Sequence, residues 1–409
     1  MMLICMCFLI GVIRLVAPES SSVVPLMSQE QRAVLSLASR SERIEFLRKN
    51  VTNGTVRTSD YDSTWRKAKD VVFRWMATDG ENGPWRIELS KKSDFSEMRS
   101  FVFKLTPEDA ASRRPVESVM ENGVFCYVLP YANLEIGTKY YWRVFSNIAC
   151  EKFGHGATCT CSAKRPSRQS DSGSFMTEDL APRWIDIEGP VSNFRDLGGR
   201  KGLNERVVRQ GLIYRSQGLN QNSVDGVSRG KNSLTISDAE YLVGTLGIRT
   251  DLDLRCPAEV AGMDGVSPLG ASVNYINNSS SCYDGIFSPN GKRVMARNFR
   301  VFTDPSNYPI LFHCIGGADR TGALAYVLNG VLGVCRRELE TDWESTFYPT
   351  IPDVDSEGNP VWNSGRHFDI GFSRYGMDDA SWNDRIVLYL RDCGIGNDEI
   401  ERFRRIMLK

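Results

Sequence analysis

Pro309-Ile-Leu-Phe-His-Cys-Ile-Gly-Gly-Ala-Asp-Arg-Thr-Gly322 joins a short apolar run to a helical one. Ile310, Leu311 and Phe312 have the composition of a buried strand. From Thr321 the text Gly-Ala-Leu-Ala-Tyr-Val-Leu-Asn-Gly-Val-Leu carries the apolar period of a helix. Cys314 therefore stands where a strand stops and a glycine-loosened loop enters a helix N-terminus. The N–H groups of such a loop turn inward and form an anion nest, and the helix end adds its partial positive charge. A thiol placed there loses its proton more easily and becomes a nucleophile at neutral pH. Arg320, six residues after Cys314, can return to the same cavity and clamp two oxygens with its planar fork. A nucleophile within a cage for a tetrahedral dianion points to phosphoryl transfer through a cysteinyl-phosphate.

His313-Cys314-x5-Arg320-Thr321-Gly322 resembles the signature of the cysteine-dependent protein tyrosine phosphatase superfamily. With Asp319 before the arginine, it is similar to the bacterial and fungal atypical phosphatases, usually written His-Cys-x-x-Gly-Lys-Asp-Arg-Thr-Gly. Members of that family act on phosphotyrosine, sometimes phosphoserine or phosphothreonine, and often phosphoinositides. Asn193-Phe-Arg-Asp-Leu-Gly-Gly199, Ile213-Tyr-Arg-Ser216 and Leu246-Gly-Ile-Arg-Thr-Asp-Leu-Asp-Leu-Arg255 resemble three further motifs of the family, in its order. The likeness runs from Ile185 to Lys409. Ala318 stands where the family usually has Lys; that Lys would meet extra phosphates, so its loss counts against an inositol-phosphate preference.

The roles follow from the chemistry and the resemblance together. Cys314 is the expected nucleophile, its plainer reading a buried core thiol. Arg320 is expected to hold the equatorial oxygens and their transition-state charge. Ile315, Gly316, Gly317, Ala318 and Thr321 complete the phosphate-binding loop, with the Thr321 hydroxyl serving the sulfur or capping the helix. His313 is expected to orient the loop and support thiolate formation. The resemblance makes Asp319 the general acid and then base, with a helix-end carboxylate as its plainer reading and Asp284 as the second candidate acid. Arg195 or Asp196 is expected beside the loop or substrate, and Arg215 inside the fold. Arg255 either reaches the cavity or pairs with Glu259. No cofactor and no metal is expected, because Arg320 and the nest supply the positive charge.

Strand-helix-strand order around Cys314 predicts an α/β domain with a mostly parallel central sheet flanked by helices. Ligands in such sheets sit beyond the carboxyl ends of the strands, where Cys314 falls. Ser237 with Glu240 predicts a capped helix to Leu246, followed by a strand from Ile248 to Arg255. The text from Ser279 to Asn298 looks loop-rich, as does that from Thr346 to Pro360; either can form a lid. The chain ends in an amphipathic helix from Asp398 to Leu408.

The N-terminal half is different. Val71-Val-Phe-Arg-Trp75, Trp85-Arg-Ile-Glu-Leu89, Arg99-Ser-Phe-Val-Phe-Lys-Leu105, Val124-Phe-Cys-Tyr-Val128 and Tyr140-Tyr-Trp-Arg-Val-Phe145 alternate apolar and polar residues between turn-rich segments. Their spacing predicts a β-sandwich of about 100 residues. Leu134 to Val144 resembles the late strands of fibronectin type III domains, and Ser174-Phe-Met-Thr177 their closing strand. Trp75, Tyr141 and Trp142 are expected in its core rather than in a ligand groove. Lys164 to Gly173 is expected as a solvated loop. A helix is expected from Ser28, as its cap, to about Asn50.

The expected organisation is multidomain: a leader at 1–22, a helical segment at 23–65, a fibronectin III-like sandwich at 66–178 and a catalytic domain at 185–409. Leu3 to Ile13 fits a secretory h-region, although no Lys or Arg precedes it. Export to the periplasm or outside is expected, with a cytoplasmic start as the alternative, and no transmembrane segment beyond the leader. Fifty basic and fifty acidic residues cancel, so nothing favours nucleic acid as a partner. Of the eleven cysteines, Cys150, Cys159 and Cys161 cluster near His155; a disulfide, a metal site and unpaired thiols are the competing readings. Three functions compete. The first is a phosphatase for phosphotyrosine-type monoesters. The second keeps the enzyme class with phosphoinositides or other small phosphorylated molecules as substrates. The third is a non-catalytic phosphate-binding module, with the sandwich domain holding a ligand of its own.

Overall fold

The structure, a computed structural model, describes residues 23–43, 45–46, 66–76, 85–103, 124–129, 131–146, 168–220, 223–224, 227–228, 234–346 and 364–409. The expected leader, the Cys150–Cys161 cluster and the stretch 347–363 lie outside the described residues. Two compact units emerge. One is drawn from Asp70–Ala132 and Thr138–Met176 together with Val23 and Val24; the other comes from Pro25–Lys69, Asn133–Gly137 and Thr177–Lys409.

The first unit is all strand. It holds β1 (Val23–Val24), β2 (Val71–Met76), β3 (Trp85–Ser90), β4 (Met98–Phe103), β5 (Val124–Leu129), β6 (Lys139–Ser146) and β7 (Arg168–Thr177). One sheet has the order β1-β7-β6-β3-β4, and β2 pairs with β5 in a second. Alternation decides the buried face: Tyr140, Trp142 and Val144 of β6 are buried while their neighbours are not. Trp75 packs edge-on against Trp85 at 5.3 Å, and Phe73 against Trp142 at 5.5 Å. Trp75 and Trp142 are thus core residues. The loop expected up to Gly173 needs correcting, because residues from Arg168 onward belong to β7 and pair with β6. A strand with one solvated face accepts Ser, Asp and Gly, so polarity alone does not mark a loop.

The second unit opens with α1 (Gln29–Ser36). Ser28 caps it in a reciprocal box with Gln31. The helix stops at Leu37, which is extended, so the single helix expected to run to about Asn50 is interrupted. The signal was local: Ser39 and Glu42 form a second capping box that restarts helical backbone. Met27, Val34 and Leu35 pack with Trp184.

The main sheet is built from β8 (Arg183–Trp184), β9 (Arg195–Asp196), β10 (Ile213–Ser216), β13 (Thr250–Asp253), β14 (Asn274–Asn277) and β15 (Ile310–His313); β11 (Ser223–Val224) and β12 (Val227–Ser228) form a separate hairpin. Its order is β14-β13-β15-β10-β9-β8. β14, β13, β15 and β10 run parallel, and β9 pairs antiparallel with both β10 and β8. β15 is central, with β13 on one side and β10 on the other. Successive side chains point to opposite faces. Ile310, Phe312, Ile213 and Leu252 enter one core, and Leu311 and Tyr214 enter the other.

The helices are α2 (Ile236–Gly244), α3 (Pro289–Val301), α4 (Asp319–Val331), α5 (Arg336–Ser345), α6 (Ser364–Phe372), α7 (Trp382–Asp392) and α8 (Asn397–Met407). α4 is buried along its length from Thr321 to Val331, as its apolar text requires. At Gly322 a Cβ would lie 2.6 Å from the Trp343 ring of α5, so glycine there sets how closely the two helices approach. Two corrections concern helix starts. α2 is capped by Thr235 with Asp238, two residues before the expected Ser237–Glu240 box. α3 occupies part of the text expected to be loop; Ser288 caps it and Pro289 sits in its first turn, where a missing N–H costs nothing.

Candidate active site

Cys314 follows the last residue of β15 and is 3% exposed. The loop 315–318 then enters α4, whose cap position is Ala318 and brings no side-chain oxygen to the first-turn amides. Each carbonyl of this loop is engaged. The Cys314 carbonyl faces His313 Nδ1 at 3.2 Å, and that of Ile315 accepts from the Gly218 amide at 2.8 Å. Gly316 accepts from Asn193 Nδ2 at 3.1 Å, Gly317 from Arg215 Nη2 at 2.6 Å, and Ala318 from the Gly322 amide at 2.7 Å. In a planar trans peptide the C=O and the following N–H point opposite ways. Carbonyls engaged by the fold leave the amides that follow them pointing the other way, the orientation an anion nest requires. Gly317 adopts φ +64°, and a Cβ there would lie 2.4 Å from the Ser216 carbonyl, so no other residue fits this bend.

Behind the loop lie charges. His313 is fully buried, with Nε2 3.0 Å from Asp251 and Nδ1 3.8 Å from Asp253. Burial alone would lower its pKa, but the two carboxylates outweigh it and hold the imidazole above its ordinary value. The raised pKa favours the imidazolium, whose Nδ1–H can donate to the Cys314 carbonyl. A raised folded-state pKa gives stability that is fully present below 6.5 and lost as pH rises through the folded value. The ring C–H resonances of His313, assigned by removing the other two histidines (His155→Ala, His367→Ala), should titrate with a midpoint above 6.5. A midpoint at or below that value would contradict the cationic assignment.

On the other face of β15 sits an arginine cluster. Asp342 of α5 accepts from Arg195 at 2.9 Å, Arg200 at 3.1 Å and Arg215 at 2.6 Å, and all four residues are buried. Burial would raise the Asp342 carboxyl, yet the charges of Arg195, Arg215 and Arg200 hold it well below the carboxylate range. Thr346 Oγ1 accepts from Arg195 at 3.0 Å. Arg195 bonds the Asn193 side chain, whose amide reaches Gly316. Asn193 has φ +56°, a conformation asparagine tolerates. Asp196 faces away from the loop: it accepts from Arg183 at 2.9 Å and from the Gly198 and Gly211 amides.

Arg320, in the first turn of α4, makes a two-pronged pair with Glu259 at 2.5 and 3.0 Å. Burial raises the Glu259 carboxyl, but the Arg320 hydrogen bond, the Cys256 amide and the Arg320 charge bring it down to about 2. The expected alternative of an Arg255–Glu259 pair is thereby corrected. Arg255 pairs with Asp253 at 2.6 Å, because the two side chains leave the same strand end. Asp319 accepts a short hydrogen bond from the Tyr283 hydroxyl. The neighbouring Asp284 is exposed. Thr321 is fully buried in the same turn, and Oγ1 has no hydrogen-bond partner among the described residues. Tyr283, Glu259 as the partner of Arg320, and Asp342 were not found from sequence. Tyr283 lay in the loop singled out as a wall, but nothing in its text names the carboxylate it meets.

Comparison with known proteins places a family on this stretch. Residues 185–355 match the tyrosine phosphatase family. A protein of Cupriavidus necator, a tyrosine-protein phosphatase by name, is 29% identical over 174 residues, covering 36% of this chain and 58% of that relative. The chain thus spans little more than half the length of the curated relative it matches. Among solved structures, the core catalytic domain of the PP-IP phosphatase Siw14 from S. cerevisiae, in complex with citrate, is 20% identical with a TM-score of 0.25, covering 34% of this chain and 72% of that one. A second structure of the Siw14 catalytic core is 16% identical with a TM-score of 0.22 and the same coverage. Among the described residues no helix is long and apolar enough to cross a membrane, and no cluster of His, Cys, Asp and Glu has the makings of a metal site.

Proposed function

We propose that this chain is a phosphomonoester hydrolase of the protein tyrosine phosphatase kind, acting through a cysteinyl-phosphate. The observation that carries the reading is the loop 314–318, with its carbonyls tied back around a cysteine at the head of α4 and Arg320 in the first helical turn. In the first step the Cys314 sulfur attacks phosphorus in line. The bond from phosphorus to the ester oxygen breaks, and Asp319 gives that oxygen its proton. In the second step water attacks phosphorus, Asp319 takes its proton, and the S–P bond breaks to release inorganic phosphate. Glu259 holds the Arg320 fork by one N–H from each terminal nitrogen, leaving its other donors for the equatorial oxygens. Tyr283 steadies Asp319. The buried Thr321 hydroxyl is suited to stabilise the departing sulfur.

Phosphotyrosine-type monoesters are the substrates this reading favours, because Ala318 places no second cation in the loop. The strands 71–177 support a fibronectin III-like sandwich as a second domain of the chain, and the apolar run Leu3 to Ile13 supports export. A panel of phosphotyrosine peptides against phosphoinositides tests the substrate class. Peptide turnover is expected to exceed lipid turnover at least tenfold in kcat/KM, and the reverse order would overturn the preference.

A further inference from the structure

The family match begins at residue 185, yet the phosphatase unit includes a segment far upstream of it. Arg43 is fully buried and grips Glu344 of α5 through Nε at 2.6 Å and Nη2 at 3.2 Å, with Glu344 also fully buried. Arg40 reaches Glu340, one turn back on the same helix face, at 2.6 Å. Arg66, 2% exposed, donates to the Thr346 carbonyl at 3.1 Å. These contacts close on the C-terminal end of α5. The opposite face of that helix carries Asp342, and its end carries the Thr346 hydroxyl; the two hold Arg195 and Arg215. Arg215 in turn bonds the Gly317 carbonyl, and Arg195 holds Asn193 against the Gly316 carbonyl. A second path runs through α1, whose Val34 and Leu35 pack on Trp184, while the Arg195 guanidinium stacks over that ring at 5.2 Å.

We infer that Arg43 and Arg66 are positioning residues: the described stretches 25–43 and 66–69 act as a strap that sets α5, and through its arginine cluster the phosphate-binding loop. The inference rests on the catalytic reading given above. Helix α5 has two charged faces, and a helix is stiff enough to pass a displacement from one to the other. Burial pushes the Glu344 carboxyl up, against the Arg43 hydrogen bond and charge. Without Arg43 the buried Glu344 carboxyl would keep, among the described residues, only the longer Arg40 contact at 3.7 Å, and the end of α5 would move or loosen to hydrate it.

The test uses the full chain with Arg43→Met, Arg66→Met, Arg43→Lys and, as a control, Lys201→Met. Lys201 is exposed, lies outside the strap and pairs locally with Glu205. Three readouts are taken: hydrogen exchange of amides 315–318, affinity for tungstate, and kcat and KM for para-nitrophenyl phosphate. Arg43→Met and Arg66→Met are each expected to speed exchange of the loop amides and weaken tungstate binding about tenfold, with kcat falling more than KM rises. Arg43→Lys should recover most of the loss, and Lys201→Met should match wild type. Wild-type exchange and tungstate affinity in both methionine variants would overturn the strap. Should Arg43→Met fail to fold, Arg66→Met and Arg43→Lys carry the same comparison. A wild-type chain without turnover would sink the catalytic reading and leave the exchange result to judge the strap alone.

Discussion

Replacing Cys314 by Ser should lower turnover of para-nitrophenyl phosphate by at least about 10⁴-fold, the scale of losses on removing a covalent nucleophile. The substitution exchanges a thiol, the stronger nucleophile, for a hydroxyl. The two side chains are nearly the same size, and the loop is held by its carbonyls rather than by the thiol. Binding of tungstate should therefore stay within about threefold of wild type, since the amides and Arg320 supply the oxyanion contacts. Loss of turnover with binding retained separates a nucleophile from a residue that merely packs. Variant activity above a tenth of wild type would end the cysteinyl-phosphate proposal.

The second large effect is one of stability. Asp342→Asn should destabilise the phosphatase unit by roughly 3–5 kcal/mol, the cost of removing one partner from a buried charge network. Arg195, Arg200 and Arg215 would then share a buried site with no carboxylate between them. Burial and the neighbouring Arg195 charge already pull the Arg215 guanidinium down, and Asp342 is the first of the groups that oppose them. Thermal unfolding should report a drop of roughly 10 °C, given the usual conversion for a domain of this size. A melting temperature within about 2 °C of wild type would show that the cluster is hydrated or otherwise balanced. The same variant should speed exchange at Gly317, because Arg215 carries the hydrogen bond to its carbonyl.

Much of the site could be read before any coordinates. The run 309–331 announces a strand, a loop and a helix because each rests on near neighbours: a short apolar stretch, paired glycines, then the helical period. The capping boxes at Ser28–Gln31 and Ser39–Glu42 are equally local, although only Ser28 as a cap was read from the sequence. Polar text misled twice, at β7 and at α3. In both a solvated face hid a regular backbone.

The partners of the charges were a different matter. Arg255 had Glu259 four residues on and instead took Asp253; Glu259 took Arg320, sixty-one positions away. Asp342 gathered three arginines from the β9–β10 region, and Arg43 found Glu344 across 301 positions. Local order along the chain dictated the nucleophile's setting, since backbone conformation and helix ends depend on adjacent residues. The pairing of ions depended on which sheet and helix faces packing brought together. Among fifty acidic and fifty basic residues of like chemistry, burial selects the pairs, because a charge removed from water must find its partner within hydrogen-bond reach.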